Sequence, residues 1–251
     1  MTSLSDFSVE LRRFFANFRR NYVSCNLIRI GGDGDGGYLL PDILSDVKYC
    51  FSPGVGDIAK FEEELDRSYG IKSFLADASV EASPIVNSNF EFISKFLGHK
   101  TDGQFITLSD WVHESILNSD ETKILQMDIE GGEYSVLLTE HAEMLASFAI
   151  LVIEFHEIQR LIEPEFLKMF FSIFNKIFKN FSVCLVHPNN CCGIALVYGE
   201  AVPRVMEVTF IRNDLVPKCR NSEKVHLPNI LDRKNVQAHP DLIMPEIWWR
   251  L

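Results

Sequence analysis

Basic residues are in the minority in this chain of 251 residues. Lysine and arginine number 24 against 35 aspartates and glutamates, which leaves a net charge of −11 at neutral pH. A nucleic-acid surface needs a basic face to neutralise phosphates, so this balance argues against such a partner. Small neutral or cationic molecules remain open as partners. Long apolar runs are missing as well. The longest, Ala146 to Ile153, falls far short of the ~20 residues that a membrane helix needs, and no membrane partner is expected. The six cysteines (Cys25, Cys50, Cys184, Cys191, Cys192 and Cys219) form no C-x-x-C pair. Most lie in apolar, strand-like runs, which points to reduced thiols and a cytoplasmic location. No basic region followed by an apolar block opens the chain, so no secretory signal is expected. There is no internal repeat.

What is present is organised around Lys48 to Glu62. Tyr49 to Phe51 suit a buried strand, and Pro53 and Gly54 break it. Gly54-Val-Gly56-Asp-Ile-Ala59 fits G-x-G-x-x-[GA]. Asp57 then stands at the expected N-cap of a helix carrying Phe61, Leu65 and Tyr69 on one face. A second strand, Ile71 to Leu75, leads to Asp77, 23 residues after Gly54. A strand, a glycine turn, a helix and a strand ending in an acid make up the nucleotide-binding half of a Rossmann-like sheet. The turn takes the ligand and the acid takes ribose hydroxyls. A glycine-rich turn in some other α/β protein is the competing interpretation.

Three further stretches carry chemistry. Between Arg29 and Tyr38 the chain reads Arg-Ile-Gly-Gly-Asp-Gly-Asp-Gly-Gly-Tyr. A calcium loop starting at Asp33 would need a carboxylate where Leu44 stands, so that reading fails. A glycine hairpin and a ligand-facing loop both fit. Lys123 to Met127 reads as a strand with Asp128 at its carboxyl end, where open α/β sheets carry their ligands. Gly131 and Gly132 turn into a helix over Glu133 to Glu140, with Glu133 suiting the helix dipole. Phe148 to Ile153 is apolar on both faces, as a central parallel strand is. It ends in Glu154-Phe-His156, whose acid and imidazole point to one side and suit acid–base work or metal ligation.

The rest reads as support. Asp6 to Asn21 is an amphipathic helix, fit to cap the domain edge or to meet a partner. Phe90 to Leu97 alternates as a strand, and Ser109 N-caps a helix carrying Trp111, Val112 and Ile116 inward. Pro164 opens a long helix over Glu165 to Asn180. Three strands follow, from Phe181, over Gly193 to Tyr198, and over Val205 to Arg212, the last two as an antiparallel hairpin. His187 with Cys191 or Cys192 lacks zinc spacing. The remaining chain wraps the surface and ends in Ile247-Trp248-Trp249, which must bury against something. No obvious domain boundary appears: the chain reads as a helical extension (1–28), a main domain (29–212) and a tail (213–251) that is part of the same domain.

Asp35-Gly36-Gly37-Tyr38, the glycine turn with Phe61-Glu62, Asp128-Ile-Glu-Gly-Gly-Glu133, Glu154-Phe-His156 and His187-Pro-Asn189-Asn190 together resemble the FkbM-type S-adenosylmethionine-dependent methyltransferases. The resemblance spans roughly Arg29 to Arg212. It implies an α/β, Rossmann-like sheet of seven strands, mostly parallel, with helices on both faces and a closing antiparallel hairpin. It also implies S-adenosyl-L-methionine as cofactor and a hydroxyl of a sugar or natural-product-like small molecule as acceptor. Carried onto this chain, Asp35, Gly36, Gly37, Tyr38, Gly54, Gly56, Asp57, Phe61 and Asp77 would bind the cofactor. Asp128, Glu154 and His156 would do the chemistry, and His187, Asn189 and Asn190 would hold the acceptor. Such enzymes commonly carry an acid two residues before the first glycine. Here Ser52 stands there, leaving Asp35 or Asp57 to supply the carboxylate. A magnesium ion on Asp128, Glu154 and a histidine is conceivable. A nicotinamide-dependent oxidoreductase and an inert binding module of the same fold are the alternatives. The aromatic first helix and Trp248-Trp249 fit a packed monomer or a homodimer.

Overall fold

The computed structural model describes residues 4–117 and 121–250. Met1 to Ser3, where a leader would begin, lie outside the described residues. The first half of the chain runs α1 (Leu4–Arg20), β1 (Leu27–Ile30), β2 (Tyr38–Pro41), β3 (Tyr49–Pro53), α2 (Lys60–Tyr69), β4 (Lys72–Ala76), β5 (Phe90–Ile93), β6 (Phe96–Leu97), β7 (Phe105–Ile106) and α3 (Leu108–Ser115). The second half runs β8 (Lys123–Met127), α4 (Glu133–Thr139), α5 (Ala142–Ala146), β9 (Ile150–Phe155), α6 (Pro164–Ile177), β10 (Phe181–Pro188), β11 (Ile194–Val197), β12 (Glu200–Pro203), β13 (Met206–Arg212) and α7 (Val216–Cys219).

Seven of these strands form one sheet in the order β10-β13-β9-β8-β3-β4-β5. β5, β4, β3, β8 and β9 pair in parallel, and β13 runs antiparallel to both its neighbours, β9 and β10. The order climbs outward from β3 through β4 and β5 on one side, and from β8 through β9 on the other. That reversal makes the β3–β8 junction the switch point of a doubly wound sheet, where a crevice opens at the carboxyl ends of the strands. The Rossmann-like α/β fold expected from the sequence is the one observed.

Alternation along the strands decides which side chains meet. Phe51, Leu125, Met127, Leu151, Ile153 and Phe155 face the larger core, shared with α1, α3, α4 and α6. Cys50, Ile124 and Val152 face the other, shared with the β1–β2 hairpin, α2 and α7. Ser52, Gln126 and Glu154 follow the same two-residue period, so they join the second face at the strands' carboxyl ends. All six residues of β9 are buried, as a centrally placed strand requires.

Several local expectations change. The expected hairpin of 193–198 with 205–212 does not form. β13 pairs instead with β10, whose residues are almost all buried, whereas Ile194 and Leu196 are exposed and belong to a separate β11–β12 hairpin. The strand expected over 90–97 stops at Ile93, and β6 turns away to pair with β7. α2 begins at Lys60 with Ala59 before it and no side-chain cap, so Asp57 does not cap it. Thr107, not Ser109, caps α3, accepting the amide of Asp110. The Ser109 hydroxyl donates instead to Glu140, at 2.7 Å. α6 ends at Ile177, three residues short of the expected Asn180. α1 and the tail are closed within the chain: Phe14 stacks on Phe171 of α6 at 4.9 Å, and Trp248 packs on Phe15 at 4.8 Å and Phe18 at 5.3 Å. Among the described residues, no helix is long and apolar enough to cross a membrane.

Candidate active site

The crevice at the switch point holds a cavity of about 290 Å³ lined by Asp35, Gly36, Tyr38, Gly54, Val55, Gly56, Asp57, Ile58, Phe61, Glu62, Gln126 and Asp128. Three segments far apart in sequence build it. The β1–β2 hairpin delivers Asp35 and Tyr38, the turn after β3 delivers its glycines, and the end of β8 delivers Asp128. Seven of the nine cofactor residues expected from the sequence therefore share one wall.

The two glycines of the turn do different things. A Cβ on Gly54 would sit 1.7 Å from the carbonyl oxygen of Asp128. Gly54 thus lets the turn cross the end of β8, and its freedom serves that crossing. Gly56, at φ +53°, has nothing within 4 Å of its absent side chain. The structure does not bring Asp77 and Gly37 to the cavity. Asp77 accepts the Gly56 amide at 2.9 Å and the Ser79 amide at 2.7 Å, so its carboxylate holds the turn in shape. A Cβ on Gly37 would strike the Gly32 carbonyl at 2.4 Å, which makes that glycine a requirement of the hairpin loop.

Beneath the cavity lies a buried polar chain that the sequence did not reveal as a unit. The Ser52 hydroxyl contacts Glu62 Oε1 and, at 2.6 Å, Gln126 Oε1. The Gln126 amide donates to the Tyr38 hydroxyl at 3.1 Å. Tyr38 in turn stands edge-on to Phe61, 5.4 Å between ring centres. Burial lifts the Glu62 carboxyl above its usual range, while the Ser52 hydrogen bond pulls the other way.

Beside Asp128, a second group gathers around His156. Its Nε2 lies 3.7 Å from Asp128, 3.4 Å from Glu130 and 3.8 Å from Glu154. Its Nδ1 lies 3.0 Å from Glu133 Oε1. Asp128 and Glu154 thus converge on the imidazole of His156, the third residue expected to do the chemistry. Glu130 and Glu133 join them, both within the motif but without that role in the sequence reading. Glu133 is fully buried and also accepts the amides of Ile129 and Gly131, so it does more than balance a helix dipole.

Burial raises Asp128 to about 7, partly offset by His156. Burial, then the charges of Asp128 and Glu207, push Glu154 well above the carboxylate range. Burial alone would lower His156, but the hydrogen bond to Glu133 and the surrounding carboxylates hold it above its ordinary value. Asp128 Oδ1 and Glu154 Oε2 are buried without a hydrogen-bond partner among the described residues. Asp128, Glu130 and His156 present ligand atoms within 4.8 Å of one another, so this is where a divalent cation could also sit.

The expected acceptor residues separate. Asn189 Nδ2 donates to Glu154 at 2.8 Å and stays with the group. Asn190 is taken up by the tail, donating to the carbonyl of Val236 at 2.9 Å and accepting its amide at 2.8 Å. His187 is buried between Asp232, at 3.4 Å, and Asn235, at 3.2 Å. Neither offers a free polar atom to an acceptor, because the tail folds back over β10. Asn235 also reaches Glu207, at 2.6 Å, and Asp35, at 3.3 Å, so the tail borders the cavity's hairpin wall.

No family model matches the sequence, and no curated protein matches it. Among solved structures, the chain is similar to one in a fibrillarin/Nop5p complex, with TM-score 0.39 and 12% identity over 67% of this chain and 73% of that one. It is also similar to a precorrin-6y C5,15-methyltransferase from Geobacter metallireducens GS-15, with TM-score 0.34 and 9% identity over 66% and 82% of the two chains.

Proposed function

We propose that this protein transfers the methyl group of S-adenosylmethionine to a hydroxyl of a small polar acceptor, of the sugar or natural-product kind. One observation carries the choice of cofactor. The switch-point cavity is lined by four carboxylates (Asp35, Asp57, Glu62 and Asp128) and by no lysine, arginine or histidine. Such a wall favours a ligand with a sulfonium and an ammonium group. It disfavours a nicotinamide dinucleotide, whose pyrophosphate seeks helix amides and positive charge. The apolar side chains of Val55, Ile58 and Phe61 give the same cavity a surface for a flat base.

Methyl transfer from a sulfonium is an in-line displacement, so alignment of the acceptor oxygen does most of the work. A hydroxyl is a weak nucleophile, and its proton must leave. Asp128 lines the cavity and stands beside His156, so it links the cofactor's place to a group able to take that proton. Glu133 fixes the far nitrogen of the imidazole. Glu154, pushed toward its protonated form and held by Asn189, orients the near side. The retention of these buried, mutually repelling groups supports an active enzyme over an inert module, since an unused site gains nothing from them.

The test is calorimetric titration of the wild-type protein with S-adenosylhomocysteine and, separately, with NAD, each with and without Mg²⁺. Binding of S-adenosylhomocysteine without binding of NAD is expected. Binding of NAD alone would overturn the reading, and binding of neither would favour the inert module.

A further inference from the structure

The acid that commonly stands two residues before the first glycine is missing, and Ser52 occupies its place. We propose that Glu62 replaces it, reaching across Ser52 to hold the α-ammonium group of the cofactor's methionine part. This inference rests on the methyltransferase reading above.

Ser52 is the penultimate residue of β3 and Glu62 lies in the first turn of α2, which the short glycine turn folds back beside the strand. Both side chains are buried, at 0% and 3% exposure, yet Glu62 lines the cavity. A carboxylate is costly to bury unless something compensates it, and the partner seen here is a serine hydroxyl rather than a cation. The two acids available from the sequence are less suited. Asp57 is exposed to water, and Asp35 is engaged by Asn235.

The hydrogen count points the same way. Ser52 has one hydroxyl hydrogen and faces two acceptor oxygens, Glu62 Oε1 and Gln126 Oε1. The Gln126 amide nitrogen is turned to Tyr38. All three contacts are satisfied when Ser52 donates to Gln126 and a proton on Glu62 donates to Ser52. An arriving ammonium group would supply the missing charge and release that proton.

The experiment compares two ligands by calorimetry. S-adenosylhomocysteine carries the amino-acid chain, and 5′-methylthioadenosine keeps the nucleoside and thioether without it. Glu62→Gln should weaken the first by about 10- to 100-fold, the range for a lost charge-assisted hydrogen bond, and leave the second within about two-fold. Retained binding of methylthioadenosine also shows that the variant folds. On the wild type, titrations in phosphate and in Tris should reveal proton release on binding S-adenosylhomocysteine and none on binding methylthioadenosine. Equal weakening of both ligands, no weakening of either, or no proton release would overturn the assignment of Glu62. Failure of both ligands to bind the wild type would overturn the cofactor reading itself, and this inference with it.

Discussion

Glu133 Oε1 and His156 Nδ1 are 3.0 Å apart, and the acid is fully buried while the imidazole faces Asp128 with its other nitrogen. One residue thus fixes both the ring and the loop that carries it, because the same oxygen accepts the Ile129 and Gly131 amides. Glu133→Gln keeps the shape and removes the charge. Since Glu133 is a main support of the raised His156 value, the variant should show a His156 pKa below that of the wild type, because a close opposite charge has been removed. An NMR titration of the His156 ring proton measures it. An unchanged value would mean that Asp128 and Glu130 carry the effect without Glu133.

The two turn glycines should respond differently to alanine. At Gly54 the new methyl would overlap the Asp128 carbonyl at 1.7 Å, at φ +84°. The turn or β8 must move, and a loss above about 4 kcal/mol is expected, the range of exceptional single substitutions. At Gly56 the space is open, and only the positive φ of +53° opposes alanine, costing about 1–3 kcal/mol. Chemical denaturation of the two variants compares them directly. Similar losses would show that backbone strain, not the crossing over β8, dominates at Gly54.

Much of this arrangement was legible because strands announce themselves by local pattern. Buried runs at 49–51, 124–127 and 150–153, each followed by polar residues, gave the central strands and located Asp128, Glu154 and His156 at their ends. What stayed hidden depends on non-local approach. Glu62 belongs to the motif that carries the resemblance but had no role of its own there, and only the folding of α2 against β3 sets it on Ser52. The pairing of β10 with β13 skips an intervening hairpin, so nearness in sequence suggested the wrong partners. Nothing periodic marks Asp232 to Pro240, yet that segment takes His187 and Asn190 out of the site. Asp77 sits where the pattern requires, and it also accepts the amides of Gly56 and Ser79 in the turn it supports.

Trp248 illustrates the same division. Its burial was expected, but its partner was not. The ring is fully buried and packs within 6.1 Å, centre to centre, of Phe14, Phe15 and Phe18. Trp248→Ala should cost about 3–5 kcal/mol, as large aromatic truncations do. Because these contacts lie within one chain, the variant's elution volume on size exclusion should match the wild type at equal concentration. A shift in oligomeric state with little loss of stability would point instead to a role between chains.

The tail's attachment should be sensitive to pH through His187. Burial opposes its charge, but the Asp232 hydrogen bond and the nearby Glu207 raise it to about 9, against an ordinary value of about 6.5. Glu207 itself is raised, chiefly by burial, with His187 offsetting part of the effect. A histidine raised on folding binds its proton more tightly in the folded state. Its contribution is complete below about pH 6.5 and is lost as pH climbs through about 9, with a ceiling of about 3 kcal/mol. Wild-type melting temperature should therefore fall between those values. His187→Gln, which cannot titrate, should be less stable at pH 6.5 and show a flatter profile across the same window. Because Asp232 and Asn235 anchor the tail through this ring, tryptic cleavage near Arg233 and Lys234 should quicken over the same range in the wild type. A wild-type melting curve as flat as that of the variant would show that the tail is held by Asn190 and Trp248 without help from the charge on His187.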